Sequence, residues 1–403
     1  MKISIKLPAV IVCIGFAGAI AVGLASYMTA SGTLAAATQA RLTAIAEAQQ
    51  RAAADLMKSL ETSALSTAAN KNTLAALMEF RKSWEQAGSN PAVVLQEAYV
   101  AGNPKDAGAR EDYDSAGRSP YDKAHKTFHP ALRGYRQETG LKDILLLDPD
   151  GNVVYSVAKT SDFAVNVADP AFAESDLALV FQSALAAEAK AAAMTPVRPY
   201  AGLGGEPASF VAAPLTLGKK LMGVVVLVVD VARLDAVLAN VSGIGETGDV
   251  LLVHENGEIQ NESARTPETA ERLTTDLGGP VVAATLAGAP TYGVVDDFRS
   301  GAFNAAAVPL EILGNRMAVV VLQGDAEVMA PLAALRTWLI GISVAVAAVA
   351  GFAGLVFSRR LTGRLARLQA VMADLASGKL DTEVPADRSD DEISAMAEAV
   401  TVF

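Results

Sequence analysis

Few residues of this 403-residue chain have the types and spacing that catalysis or metal binding demands. His125 and His129 are four apart, so on a helix they share one face, as two imidazole ligands of a metal would. No carboxylate-histidine pattern accompanies them and Pro130 follows directly, so packing and capping are the expected roles and no metal is expected. His254 falls in a turn and is expected to be exposed. Gly202-Leu203-Gly204-Gly205 has the glycines of a phosphate cradle, but Pro207 close behind makes it a hairpin loop. No nucleophile elbow, Walker loop, dinucleotide fingerprint or HExxH occurs, so neither enzymatic activity nor a cofactor is expected. Cys13 is the single cysteine, inside an apolar run, so no disulfide framework or thiolate metal site can form.

The composition narrows the partners. Lysine and arginine number 33 against 44 aspartates and glutamates, a net charge of −11, which disfavours nucleic acid as a partner. Hydrophobic residues are 51% of the chain and aromatics only 5%. Much of the apolar content is alanine, which suits long packed helices. The length allows two or three domains.

Two apolar runs dominate the pattern. Leu7 to Ala40 has no charge, and its most apolar part, residues 8–28, makes a helix of about 32 Å, enough to cross a hydrocarbon core. It is longer than the core of a signal peptide, so an uncleaved anchor is expected. The second run, residues 337–358, is also uncharged and opens with Trp338 at the interface position. Arg359, Arg360, Arg364 and Arg367 follow it, with no acid before Asp374, while Lys2 and Lys6 precede the first run. This bias puts both termini, including residues 1–7, in the cytoplasm and exports the segment between the runs.

After the second run, Leu361, Leu365, Leu368, Met372 and Leu375 form a heptad seam. Gly378-Lys379-Leu380 and Val384-Pro385 read as a connector, with Gly378 stopping the helix and Leu380 and Val384 as apolar pegs. Asp390-Asp391-Glu392 opens a second seam of Ile393, Met396, Val400 and Phe403. Neither helix can bury its seam alone, which points to a parallel bundle built by a homodimer. Residues 359–403 resemble a HAMP domain, the coupling module behind the last membrane helix of many bacterial receptors. The resemblance assigns signal coupling to Gly378, Leu380, Val384 and Glu392. One departure is Gly363, where the family often has proline. No kinase, cyclase or methylation bundle follows, so the output is expected on a segment outside these residues or on another chain.

The exported part begins with a predicted long helix, residues 34–84, about 75 Å if unbroken. It is either a dimer stalk or a support for its own domain. Residues 88–120 read as loop and 121–139 as helix. A strand-turn-strand follows, Asp143 to Leu147, Asp148-Pro149-Asp150-Gly151, and Asn152 to Val157. A helix at 177–193 and strands at 196–200, 209–215 and 222–230 complete the unit, with a helix at 232–240. The same order restarts at Gly245-Glu246-Thr247-Gly248: a strand at 249–253, a turn at His254 to Gly257, a return at 258–259, and strands at 290–296, 301–308 and 316–322. Residues 30–330 thus resemble a double-Cache sensor, a long helix followed by two PAS-like sheet modules, distal at 141–240 and proximal at 245–325. Residues 121–130 look like the approach to the first module of bacterial chemoreceptors of the methyl-accepting type.

The fold class is therefore α+β: two membrane helices flanking a tandem PAS-like sensor, then a HAMP helical bundle. The resemblance implies a ligand pocket between sheet and loops, within reach of Tyr155, Lys159, Asp162, Phe163, Arg198, Tyr200, Phe210 and Asp230. Lys159 and Arg198 suit an anion or organic acid, Asp230 an ammonium, and the rings suit walls. Amine-binding relatives carry a Tyr, Arg, Trp, Tyr cluster that this module lacks, so an amino-acid ligand is not implied. The expected function is an inner-membrane, multi-pass receptor that senses a periplasmic small molecule for chemotaxis through downstream signalling proteins. Control of a histidine kinase or nucleotide cyclase, and a periplasmic protein-docking role without a pocket, remain the alternatives.

Overall fold

A computed structural model describes residues 3–114, 117–186, 191–267, 270–379 and 391–402. The chain divides into two units, Thr38–Val328 and Met1–Ala37 with Met329–Phe403. It is a mixed helix-and-sheet protein in which two long apolar helices flank a sheet-containing domain, with further helix behind the second.

The first unit is entered by α1 (Ile3–Ala69) and continues with α2 (Lys71–Glu85). The expected single helix over 34–84 is broken at Asn70. Its side chain accepts a hydrogen bond from the Asn72 N–H and so caps a new helix in place of continuing the old one. The segment read as loop contains α3 (Pro91–Gln96), a π-helical turn (Glu97–Ala101) and a 3₁₀ turn (Ala107–Asp112). Then comes α4 (Pro120–Thr139), opened by a reciprocal Ser119–Asp122 capping box with Pro120 in the first turn.

The distal sheet is built from β1 (Asp143–Leu147), β2 (Val153–Ser156), β3 (Ala193–Met194), β4 (Arg198–Pro199), β5 (Pro207–Leu217) and β6 (Lys220–Val229). Its order is β2-β1-β6-β5-β3, with β4 also on β5, and every pairing is antiparallel. The hairpin turn at 148–151 puts Gly151 at φ +87°, a left-handed position that suits glycine. The strand expected over 196–200 pairs only at Arg198 and Pro199, because prolines at 196 and 199 have no N–H for a ladder. The helix expected to reach 193 is described as α5 (Asp176–Ala186). α6 (Ala232–Leu238) closes the module.

Alternation places side chains on both faces of this sheet. Ile144, Leu146, Val211, Val225 and Leu227 pack with Phe80, Tyr121 and Leu132 of α2 and α4. Leu145, Leu147, Phe210, Val224 and Val226 pack with Leu177 and Phe181 of α5.

The proximal sheet contains β7 (Asp249–His254), β8 (Thr291–Phe298), β9 (Gly301–Ile312) and β10 (Asn315–Gly324), in the order β7-β10-β9-β8. The return expected at 258–259 forms only single bridges, Val253 with Ile259 and Glu258 with Asp276. One face packs on Leu42, Ala46, Ala53 and Met57 of α1, and the other on α7 (Pro280–Leu286), which the sequence pattern did not reveal. His254, expected to be exposed, is only 8% so, with Nδ1 3.0 Å from Asn256 Oδ1.

The second unit contains the start of α1, most of α8 (Asp325–Ala376), and α9 (Glu392–Val402). α1 and α8 are long and apolar enough to cross a membrane. They meet at small residues, with Gly354 and Gly351 of α8 against Pro8 and Val12 of α1. Ile14, Val22, Trp338, Val349 and Phe352 stay exposed on these helices.

Candidate functional site

α4 places titratable groups on a buried face. Tyr121, His125, His129 and Leu132 recur at helical spacing and all face the distal sheet. The His125 and His129 rings stack with centroids 4.1 Å apart. His129 Nε2 lies 2.7 Å from the Glu111 carbonyl oxygen, which can only accept, so Nε2 carries the proton. Its Nδ1 therefore accepts from the Tyr155 hydroxyl at 2.7 Å. Burial, then the Lys159 charge, pull the His129 pKa down to about 4. His125 is 0% exposed and neither ring nitrogen has a hydrogen-bond partner among the described residues, and burial pushes its pKa far below the usual range.

Lys159 completes the cluster. It is 1% exposed, and its Nζ donates to the carbonyls of Ser156 at 2.7 Å and Val157 at 3.3 Å. The ammonium lies 5.0 Å from the Tyr155 ring centre, 5.8 Å from Tyr99 and 5.9 Å from Phe163. Burial lowers its pKa to about 7, although Asp143 and Glu111 pull the other way. Its backbone sits at φ +56°, an unfavourable position for a side-chain-bearing residue, held by its N–H donating to Ser156 Oγ at 2.7 Å. Ser156 Oγ in turn donates to Asp143 Oδ2 at 2.5 Å. Around the cluster, Tyr99 donates to Asp122 at 2.8 Å and Tyr121 to the Val154 carbonyl at 2.7 Å.

The expected site residues do not all converge. Tyr155, Lys159 and Phe163 belong to this cluster on the α4 face. Phe210 and Tyr200 lie on the opposite, α5 face, edge to face at 4.8 Å. Asp162 is fully buried and accepts from Tyr200 at 3.0 Å and from Thr160, with burial raising its pKa to about 6. Arg198 has a side chain 46% exposed, 3.9 Å from Asp176. Asp230, one residue before the Val231 N-cap of α6, accepts from the Ala232 N–H at 3.1 Å. Sequence reasoning missed Tyr99, Tyr121 and the pairing of His129 with Tyr155. The available signal was a row of titratable groups on one face of a predicted helix. Tyr99 carried none, since its segment read as loop.

In the proximal module the matching place is filled by ion pairs. Arg299 donates to Asp249 at 2.7 Å and to Glu271, and Ser263 donates to Asp249 at 2.5 Å. Among the described residues no group of three His, Cys, Asp or Glu is placed to hold a metal.

Of the residues expected to couple the signal, Gly378 follows the end of α8 at φ +90°, and Glu392 is the exposed first residue of α9. Leu380, Val384 and Pro385 lie outside the described residues. The two helices are joined by Arg364, which makes a bidentate pair with Asp391 at 2.5 and 2.9 Å. That contact holds the Asp391 pKa at about 2.

Residues 356–403 match the HAMP domain family. A probable chemoreceptor of Sinorhizobium fredii, y4sI, is 24% identical over 265 residues, 64% of this chain and 32% of the relative. The chain thus spans about a third of that relative's length. Among solved structures, the ligand-binding domain of the Campylobacter jejuni chemoreceptor Tlp3 with 4-methylisoleucine aligns with a TM-score of 0.45 and 11% identity, over 73% of this chain and 94% of that one. The ligand-binding domain of the Pseudomonas fluorescens chemoreceptor CtaA with L-isoleucine aligns with a TM-score of 0.35 and 14% identity, over 68% and 95%.

Proposed function

We propose that this chemoreceptor-like chain with its HAMP domain is a non-enzymatic transmembrane receptor that senses a periplasmic small molecule and controls chemotaxis. The observation that carries the reading is the order of parts. A two-sheet domain lies between two uncharged apolar helices, and the HAMP match starts at residue 356, as the second apolar run ends. In this reading residues 8–28 and 337–358 cross the inner membrane, and the arginines from Arg359 onward hold both termini in the cytoplasm. The exposed apolar side chains on those helices are then covered by lipid.

Residues 141–240 act as the distal module and 245–325 as the proximal one. The distal module is our choice for ligand binding, because Lys159 has no carboxylate partner among the described residues whereas Arg299 is already neutralised. An anion or organic acid that reached Lys159 and His125 would satisfy groups that the protein leaves partly unsatisfied. Its differential affinity for two sheet arrangements shifts a two-state equilibrium toward the HAMP helices. Leu365, Met372 and Met396 of the predicted seams are exposed in the single chain, which favours a homodimer. Chemotaxis is favoured over kinase or cyclase control by the Sinorhizobium relative.

The test is a hybrid carrying residues 1–403 ahead of a chemoreceptor kinase-control domain. Kinase output is read against a panel of organic acids and inorganic anions. At least one should change it, and Lys159→Met should abolish the change. Failure of the whole panel, or a reporter at Phe403 that proves periplasmic, sinks the reading.

A further inference from the structure

At the edge of the distal core, the end of α1, the start of α2 and α4 leave a cleft of about 270 Å³. One wall is polar and includes Asn70, Asn72 and Thr73; the other is largely apolar and includes Phe128, Leu132 and Tyr135. No lining residue carries a charge. Thr73 is 3% exposed, yet its hydroxyl bonds to no described residue. Hydroxyls elsewhere on these helices donate one turn back, as Thr67 does to Ser63 and Thr127 to Lys123. Thr73 comes just after the break at Asn70, so the carbonyl one turn back belongs to α1. Thr73 lines the cleft, so this hydroxyl borders its open space. The Asn72 amide and the Tyr135 hydroxyl likewise have no partner among the described residues.

We infer that this cleft binds a neutral, polyhydroxylated ligand of monosaccharide size. Its volume corresponds to about nine water molecules, which suits one sugar ring. A sugar offers an apolar C–H face for Phe128 and Tyr135 and hydroxyls for Thr73 and Asn72, matching the division of the two walls. An ion would lose hydration there without a countercharge. The site lies outside the Lys159 cluster and does not rest on ligand binding there.

The test uses the full chain in lipid nanodiscs, melted with Trp84 of α2 as the fluorescent reporter. Glucose, galactose, ribose and myo-inositol are added singly, with sodium acetate and inorganic phosphate as ionic comparisons. At about 100-fold excess over its Kd, one neutral ligand should raise Tm by about 5 °C. Thr73→Val and Asn72→Ala should each weaken it about tenfold or more, and Asn72 is exposed, so that variant keeps its fold. The inference is overturned if no sugar or polyol shifts Tm, if the shift survives both substitutions, or if only acetate or phosphate shifts Tm. None of these outcomes bears on the kinase hybrid, which reads a different site.

Discussion

Asp143 and Asp249 occupy equivalent places in the two sheets. Each opens the first strand of its module and is fully buried. Each accepts the next residue's N–H, at 2.7 Å from Ile144 and 2.9 Å from Val250, and a serine hydroxyl at 2.5 Å, from Ser156 and Ser263. The modules differ in the cation beside the carboxylate. Asp249 is paired directly with Arg299, while Lys159 turns to carbonyls and rings.

That contrast predicts opposite responses to removing the cation. Arg299→Met leaves Asp249 and Glu271 close together without their guanidinium. It should cost on the order of 3 kcal/mol. Urea unfolding of the full chain measures this, and a loss below about 0.5 kcal/mol would mean the pairs are surface-like.

Lys159→Met should behave differently. The ammonium is buried without a carboxylate partner among the described residues, so an apolar chain of similar length should leave stability unchanged or higher. Response to the anionic ligand should vanish in the same variant. A strongly destabilised Lys159→Met protein would contradict this, because it would make Lys159 structural.

The histidine pair sets the acid side of stability. Unfolded, both imidazoles take up a proton near 6.5, but folded His129 is held at about 4 and His125 lower still. The unfolded state then binds more protons, so stability falls as pH drops from about 6.5 toward 4. Lys159, lowered from 10.5 to about 7, adds a loss as pH falls through that higher window. Asp162, raised from 3.8 to about 6, acts in the opposite sense between those values. Arg133 and Lys159 oppose the His129 charge, and Asp112 favours it. His125→Phe gives up no hydrogen bond to a described residue and should remove about 2 kcal/mol of the difference between pH 7 and pH 5. Identical pH slopes for the two proteins would show that His125 does not titrate as described.

In the HAMP region, Arg364→Ala deletes the bidentate contact to Asp391 between α8 and α9. Kinase output of the hybrid should lose its ligand response while ligand affinity stays within about twofold, and Arg364→Lys should restore it only in part. Unchanged signalling in Arg364→Ala would remove this pair from the coupling path.

How much of this was readable beforehand follows from periodicity. The apolar helices, the repeated strand-turn-strand and the helix over 121–139 announce themselves through spacing and turn residues, whereas the Ser119–Asp122 capping box that opens α4 appears only in the structure. The break at Asn70 does not, because alanine- and leucine-rich sequence continues on both sides. The candidate pocket was only half legible. Tyr155 and Phe210 both sit on strands of one sheet, but which face each meets depends on register, and a slip of one residue reverses it. The short pairing of β4, which leaves Arg198 half in solvent, depends on two prolines whose effect on the ladder is clear only once β5 is in place.

Within the first unit, α1 supplies Leu42, Ala46, Ala53 and Met57 to one core and Leu60 and Ala64 to the next. The rise between those rows is set by the helix at about 1.5 Å per residue. Neither half of this unit can therefore slide along the shared spine without stripping side chains from its own interior, and heat should dismantle the halves as one cooperative block.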